Sequence, residues 1–256
     1  MLLHFSQRTV CSALVPMCLA ACSSSSTSPV TASTTGPNAT NNALPAAYRL
    51  FSDSVTITIE GANLVLRTKN VPDHKSAYFQ TSDSRYQAYN GTNPIFSINP
   101  NRIASQSISF RIPMTPTSAA TKAATPLGPI GISLNGVVFF NQYAGPGTPL
   151  TSEINSFDQA NGHPQQSGVY HYHVEPLSLT AKNGTDALLG FLLDGFPVYG
   201  PRENGATVTN AMLDTYHGHT AATKEYPSGI YHYHITATDP YINGAGFYGV
   251  AGTIGN

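Results

Sequence analysis

The segment Gly168-Val169-Tyr170-His171-Tyr172-His173-Val174 returns about sixty residues later as Gly229-Ile230-Tyr231-His232-Tyr233-His234-Ile235. The likeness extends upstream. Asp158 and then Gly162-His163 precede the first copy, and Asp214 and then Gly218-His219 precede the second at the same spacing. Earlier still, Gly131 with Leu134-Asn135-Gly136 matches Gly190 with Leu193-Asp194-Gly195, each followed by an apolar run that reaches an aromatic at Phe140 or Tyr199. Three features in one order define an internal repeat, at about residues 128–180 and 187–242. Each unit reads as a strand, an Asn-Gly or Asp-Gly turn, a second strand, a loop with Asp and Gly-His, and the Tyr-His-Tyr-His strand. The turn pairs predict type I′ hairpins. Two such units are expected to pack about a pseudo-twofold axis that brings the two Tyr-His-Tyr-His strands near one another.

The rest of the chain points to the same fold class. With 22 Gly and 19 Pro among many Thr, Val, Ile, Tyr and Phe, the apolar runs are short and bounded by turn residues. The expectation is a mainly β single domain of short antiparallel strands over 46–256. Val55 to Arg67, with a turn at Gly61-Ala62-Asn63, suits a half-buried hairpin. The Ala-rich stretch between Pro116 and Pro126 reads as a connection, because prolines at both ends limit any helix.

On a strand, residues two apart project to one face about 6.6 Å apart. His171 with His173, and His232 with His234, are therefore convergent pairs, while the tyrosines between them face the packed side. Two imidazoles from one strand can share a metal ion and need one or two further ligands. Candidates for these are His163, His219, His217, His74 and Asp194. Asp158 and Asp214, like Asp194, could ligate or orient an imidazole. Asp194 has a plainer role open to it as the residue that sets its turn. With imidazole and carboxylate donors, copper or zinc leads and non-haem iron follows. The competing expectation is that strand histidines simply satisfy backbone carbonyls within a polar core and hold no metal. Seven of the nine histidines lie in the duplicated region, and that gathering favours metal.

Twelve Lys and Arg against thirteen Asp and Glu supply no basic field for nucleic acid. At the other end of the chain, an apolar run from Val10 to Ala21 reaches Leu19-Ala20-Ala21-Cys22, so residues 1–21 read as an export signal. The segment 22–45 is then a Ser/Thr-rich tether expected to be disordered, since it lacks the apolar surface to offset chain entropy. All three cysteines, Cys11, Cys18 and Cys22, lie in or at the end of the export segment. The folded part thus has neither disulfide nor thiolate ligand.

The Leu-Ala-Ala-Cys run resembles a bacterial lipobox, which implies lipidation of Cys22 and attachment to the membrane through that lipid anchor only. Ser23 resembles the outer-membrane default of Gram-negative sorting. The doubled Tyr-His-Tyr-His strand, Leu193-Asp194-Gly195-Phe196-Pro197-Val198-Tyr199-Gly200, Gly162-His163-Pro164 and the turn at Asn70-Val71-Pro72-Asp73-His74 together resemble the YHYH-domain family of bacterial exported proteins. Members commonly carry cysteines where this chain has Gln159-Ala160 and Gly244-Ala245-Gly246, so a disulfide that braces them is absent here. The resemblance implies no particular reaction. The leading expectation is an extracytoplasmic lipoprotein that binds copper or zinc through its paired His-x-His strands. The alternative is a non-catalytic surface binding or structural module. A metal-free hydrolase lacks a nucleophile, as no Gly-x-Ser-x-Gly elbow occurs.

Overall fold

Residues 44–255 are described by a computed structural model, and they form the mainly β fold that a chain punctuated by Gly and Pro favours. The expected export signal, Cys22 and the expected tether up to residue 43 lie outside the described residues.

Strands β1 (Val55–Glu60) and β2 (Asn63–Thr68) pair antiparallel from Val55↔Thr68 to Glu60↔Asn63, so the turn is Gly61-Ala62. β3 (Ile108–Pro113) adds to β2. The first repeat contributes the hairpin β4 (Pro129–Ser133) and β5 (Val138–Phe140), a two-stranded flap of β6 (Tyr143–Ala144) and β7 (Thr148–Pro149), and then β8 (Gly162–Pro164) and β9 (Tyr170–Tyr172). A short helix, α1 (Leu177–Asn183), leads into the second repeat. That repeat supplies β10 (Leu188–Leu192), β11 (Pro197–Tyr199), the flap strands β12 (Arg202–Glu203) and β13 (Ala206–Thr207), β14 (Gly218–Ala221) and β15 (Ile230–His234). β16 (Thr253–Gly255) closes the smaller sheet by pairing with β3.

The large sheet has the order β8-β9-β5-β4-β10-β11-β15-β14, in which the second repeat mirrors the first. The two units meet where β4 and β10 pair antiparallel, with Gly190↔Ser133 and Leu192↔Gly131. This corrects one expectation. The Tyr-His-Tyr-His strands β9 and β15 do not approach each other; four strands separate them. The apolar inner strands take the centre, because β10 is buried along its whole length and β4 at all but its first residue. Each Tyr-His-Tyr-His strand then adds outside its own hairpin. It does so in parallel, with Val138↔His171 in one repeat and Val198↔Tyr233 in the other, so the sheet is mixed.

The hairpin turns also differ from type I′. Gly136 N–H donates to Ser133 and Gly195 N–H to Leu192, which makes three-residue loops with only the glycine at positive φ (+85° and +81°). Asn135 and Asp194 keep ordinary backbone angles because their side chains turn inward and accept the N–H two residues on, from Val137 and Phe196.

Leu64, Leu66, Phe110 and Ile112 of the small sheet share one core with Ile130, Ile132, Phe191 and Leu192 of the large one, and Tyr48 stacks on Phe191 at 4.2 Å. The junction of the repeats is tightest at a reciprocal pair of glycines. A Cβ on Gly131 would strike the carbonyl of Phe191, and one on Gly190 would strike the carbonyl of Ile132. We expect Gly131→Ala or Gly190→Ala each to cost about 1–3 kcal/mol. The midpoint of urea unfolding should fall accordingly, and an unchanged midpoint would show that the strands can part without penalty.

Candidate metal centres

Strand alternation places the tyrosines of each repeat in the core and its imidazoles on the other face. The tyrosine hydroxyls are tied by the duplicated acidic and amide residues. Tyr170 donates to Asp158 at 2.8 Å, and Tyr231 to Asp214 at 2.9 Å. Tyr233 donates to Asp194 at 2.6 Å, while Tyr172 in the equivalent place accepts from Asn135 at 3.3 Å. Asp158 and Asp214 also receive the backbone N–H groups of Gly162 and Gly218, so they hold the turn that delivers the Gly-His strand. The glycine of that pair lies under a tyrosine ring: a Cβ on Gly162 would meet Tyr170, and one on Gly218 would meet Tyr231.

On the opposite face two groups of side chains converge, Glu153 with His163, His171 and His173, and Glu203 with His219, His232 and His234. In each group the potential donor atoms all lie within 4.8 Å of one another. The third imidazole arrives across an antiparallel ladder, since His163 stands opposite His171 and His219 opposite His232. His171 Nε2 is 3.0 Å from His163 Nε2 and 2.9 Å from His173 Nε2. His232 Nε2 is 3.1 Å from both His219 Nε2 and His234 Nε2. Glu153 Oε1 lies 3.0 Å from His163 Nε2, and Glu203 reaches His219 and His232 at 3.4 Å.

The outer nitrogens decide what the inner ones carry. Nδ1 of His171 faces the carbonyl of Val169 at 3.0 Å, and Nδ1 of His232 that of Ile230 at 3.0 Å. Nδ1 of His173 faces Asn141 O at 2.5 Å, and Nδ1 of His234 faces Gly200 O at 2.8 Å. A carbonyl only accepts, so each of these Nδ1 atoms bears the proton and each neutral ring turns a bare Nε2 lone pair inward. Burial holds the rings neutral. It pushes His173 and His234 down to about 4, and it lowers His171 and His232 as well, with neighbouring imidazoles adding to the shift in His171. Burial raises the Glu153 carboxyl, but the hydrogen bond and charge of His163, aided by His173, outweigh it and leave the group below its ordinary range.

Six of the expected ligands thus come together, three in each centre. The other three stand outside both. His74 hydrogen-bonds Tyr172 Oη at 2.9 Å, on the tyrosine side of the sheet. His217 occupies the left-handed position before Gly218 (φ +74°), as Asn161 (φ +62°) does before Gly162, and that turn points its ring at Thr236 Oγ1, 3.0 Å away. Asp194 is committed to Tyr233 and to the N–H of Gly249 at 2.8 Å, and burial raises it to about 6. The two glutamates were not anticipated. Glu153 begins a 3-10 turn after the flap β6–β7, whereas Glu203 lies within the flap strand β12, so the two do not align in the repeat. One signal was available. Each repeat carries a single glutamate between its hairpin and its Gly-His pair.

The sequence profile of the YHYH protein family matches residues 109–209 and 202–246, together more than half of the chain. The chain belongs to the YHYH protein family. Both histidine groups, both glutamates and the tyrosine ties fall inside the matched residues. Nothing among curated proteins or solved structures matches the chain. The doubled Tyr-His-Tyr-His motif of this chain thus supplies two faces, tyrosines for the core and imidazoles for a pair of sites.

The depressed histidines give the metal-free protein a pH signature. His173, His217 and His234 titrate near 4 when folded against an ordinary 6.5, and His171 and His232 shift the same way. The unfolded chain binds more protons in that window, so their contribution is complete at neutral pH and lost as pH falls from about 6.5 towards 4. Asp158 and Asp194 are raised and act in the opposite sense, but the five histidines outnumber them. The urea midpoint of chelator-treated protein should therefore drop between about pH 7 and pH 5. A constant or rising midpoint would mean that the imidazoles are not held neutral.

Proposed function

We propose that the YHYH domain binds two metal ions, copper or zinc, one in each repeat, and that it does so outside the cytoplasm as a lipoprotein anchored through Cys22. The observation that carries the metal reading is the contact of bare nitrogens. His171 and His173 bring two lone pairs to 2.9 Å, and His232 and His234 to 3.1 Å, with no proton available between them. Burial opposes the imidazolium that would otherwise bridge them. Such pairs repel unless a cation lies between, and nitrogens each about 2.0–2.1 Å from one tetrahedral zinc stand roughly 3.3 Å apart, within a few tenths of an ångström of these spacings.

A second observation points the same way. Glu203 Oε1 is buried without a hydrogen-bond partner, 3.4 Å from His232 Nε2. Three imidazole nitrogens and one carboxylate form a donor set that suits zinc or copper(II), and affinity order favours copper. The carbonyls on Nδ1 of His171, His173, His232 and His234 orient those rings and raise their basicity, as partners behind metal-bound histidines do. A metal bound there would supply Lewis-acid chemistry, or redox chemistry in the case of copper. The export reading rests on Leu19-Ala20-Ala21-Cys22 and the Ser/Thr-rich stretch after it.

Plasma mass spectrometry of purified protein, free of metal-binding tags, should find two equivalents of metal per chain. His171→Ala or His232→Ala should each leave one, and the double variant none. Protein that stays metal-free after incubation with both ions would return the histidines to a structural role. For the anchor, cells fed labelled palmitate should label the full chain and not Cys22→Ala, and equal labelling of the two would sink the lipoprotein reading.

A further inference from the structure

The two centres share a ligand set but differ in their surroundings. In the first, Phe140 stacks on His171 at 3.9 Å and 21°, and Phe157 lies parallel to His173 at 5.8 Å and edge-on to His163 at 4.8 Å. These rings cover the imidazoles, and the His163 side chain is only 4% exposed, so what access this centre has lies on the side of Glu153, whose side chain is 28% exposed. In the second, Tyr199 takes the place of Phe140 and meets His232 edge-on at 5.1 Å, so no ring lies flat on this imidazole. The His219 side chain, equivalent to His163, is 24% exposed.

A cavity of about 270 Å³ opens against the second centre, and three of its walls are the proposed ligands Glu203, His232 and His234. The remaining wall includes Tyr199, Arg202 and Lys224. The Tyr199 hydroxyl, which Phe140 lacks, is held beside the cavity by Glu225 at 2.8 Å and Thr223 at 2.7 Å. Asp186 is the one carboxylate in the wall besides Glu203. A divalent ion held by three neutral imidazoles and one carboxylate keeps a net positive charge. Arg202 and Lys224 add two more, while Asp186 in the wall and Glu225 behind the Tyr199 hydroxyl remove two. The cavity is thus electropositive once metal is bound, and its walls concentrate that field.

We infer that the second centre takes a small oxyanion at an open coordination position, flanked by Arg202 and Lys224, while the first is a closed centre that only braces its repeat. This rests on the metal reading above. A four-ligand ion that faces a cavity can expand to a fifth ligand, whereas two phenyl rings packed on the imidazoles of the first centre crowd the face where one would enter. The asymmetry also divides the labour of the duplicated fold, with one copy closed for stability and one open for chemistry.

The test uses the full chain loaded with copper, with the copper counted before any anion is added, and inorganic phosphate as the probe in electron paramagnetic resonance. Phosphate should shift about half of the copper signal and leave the rest unchanged. Arg202→Ala with Lys224→Ala, both at exposed positions, should raise the phosphate needed at least tenfold without changing the copper count. In a chain carrying His171→Ala and His173→Ala, all the remaining copper should respond. A shift of the whole signal, no shift, or an unchanged phosphate requirement in the Arg202/Lys224 variant would overturn the inference while the metal reading stands. A copper count of zero before phosphate is added would overturn both.

Discussion

Each pair of imidazoles in this protein rides on a strand whose other face is pinned by tyrosine hydroxyls, and the geometry of both centres depends on that pinning. Tyr170 and Tyr231 are held by Asp158 and Asp214, and Tyr233 by Asp194. A strand has one orientation about its own axis, so fixing the tyrosines fixes the histidines. The aspartates that a ligand search would first choose therefore shape the centres from behind. Their carboxylates are spent on hydroxyls and backbone N–H groups across the sheet, and the imidazoles take their orienting contacts from backbone carbonyls instead.

The duplication gives the fold its economy. The glycines of β4 and β10 allow the repeats to meet backbone to backbone, and each Tyr-His-Tyr-His strand is added at the far side of its own hairpin. The two centres are consequently far apart in strand order and independent in their ligands. Their glutamates come from loops that do not correspond, Glu153 after one flap and Glu203 within the other. Equivalent histidine frames have thus acquired a carboxylate by two routes, and the surroundings have diverged with them, Phe140 and Phe157 over one centre, Tyr199 and a cavity beside the other.

Much of this was legible in the residues. The period-two placement of His171 with His173 and of His232 with His234 dictated a shared face, and the repeat of Gly-His marked His163 and His219 as partners. The mainly β class followed from short apolar runs between turn residues, and the Val55–Arg67 hairpin from its alternation. His74 and His217 were drawn in by residue type alone. A left-handed backbone at His217 and a tyrosine hydroxyl beside His74 turn them elsewhere, and neither effect leaves a mark in composition or spacing.

The sequence by itself determined the local facts: which side chains share a strand face, where turns fall, and that two like units exist. Tertiary structure alone decided that β4 and β10 form the centre of the sheet, that the Tyr-His-Tyr-His strands lie far apart, and that Glu153 and Glu203 complete the two groups. The physical reason is range. Alternation and turn preference act between neighbours along the chain. Strand order and the arrival of a glutamate from a loop depend on which apolar surfaces are buried against each other, a competition settled only when the whole chain has packed.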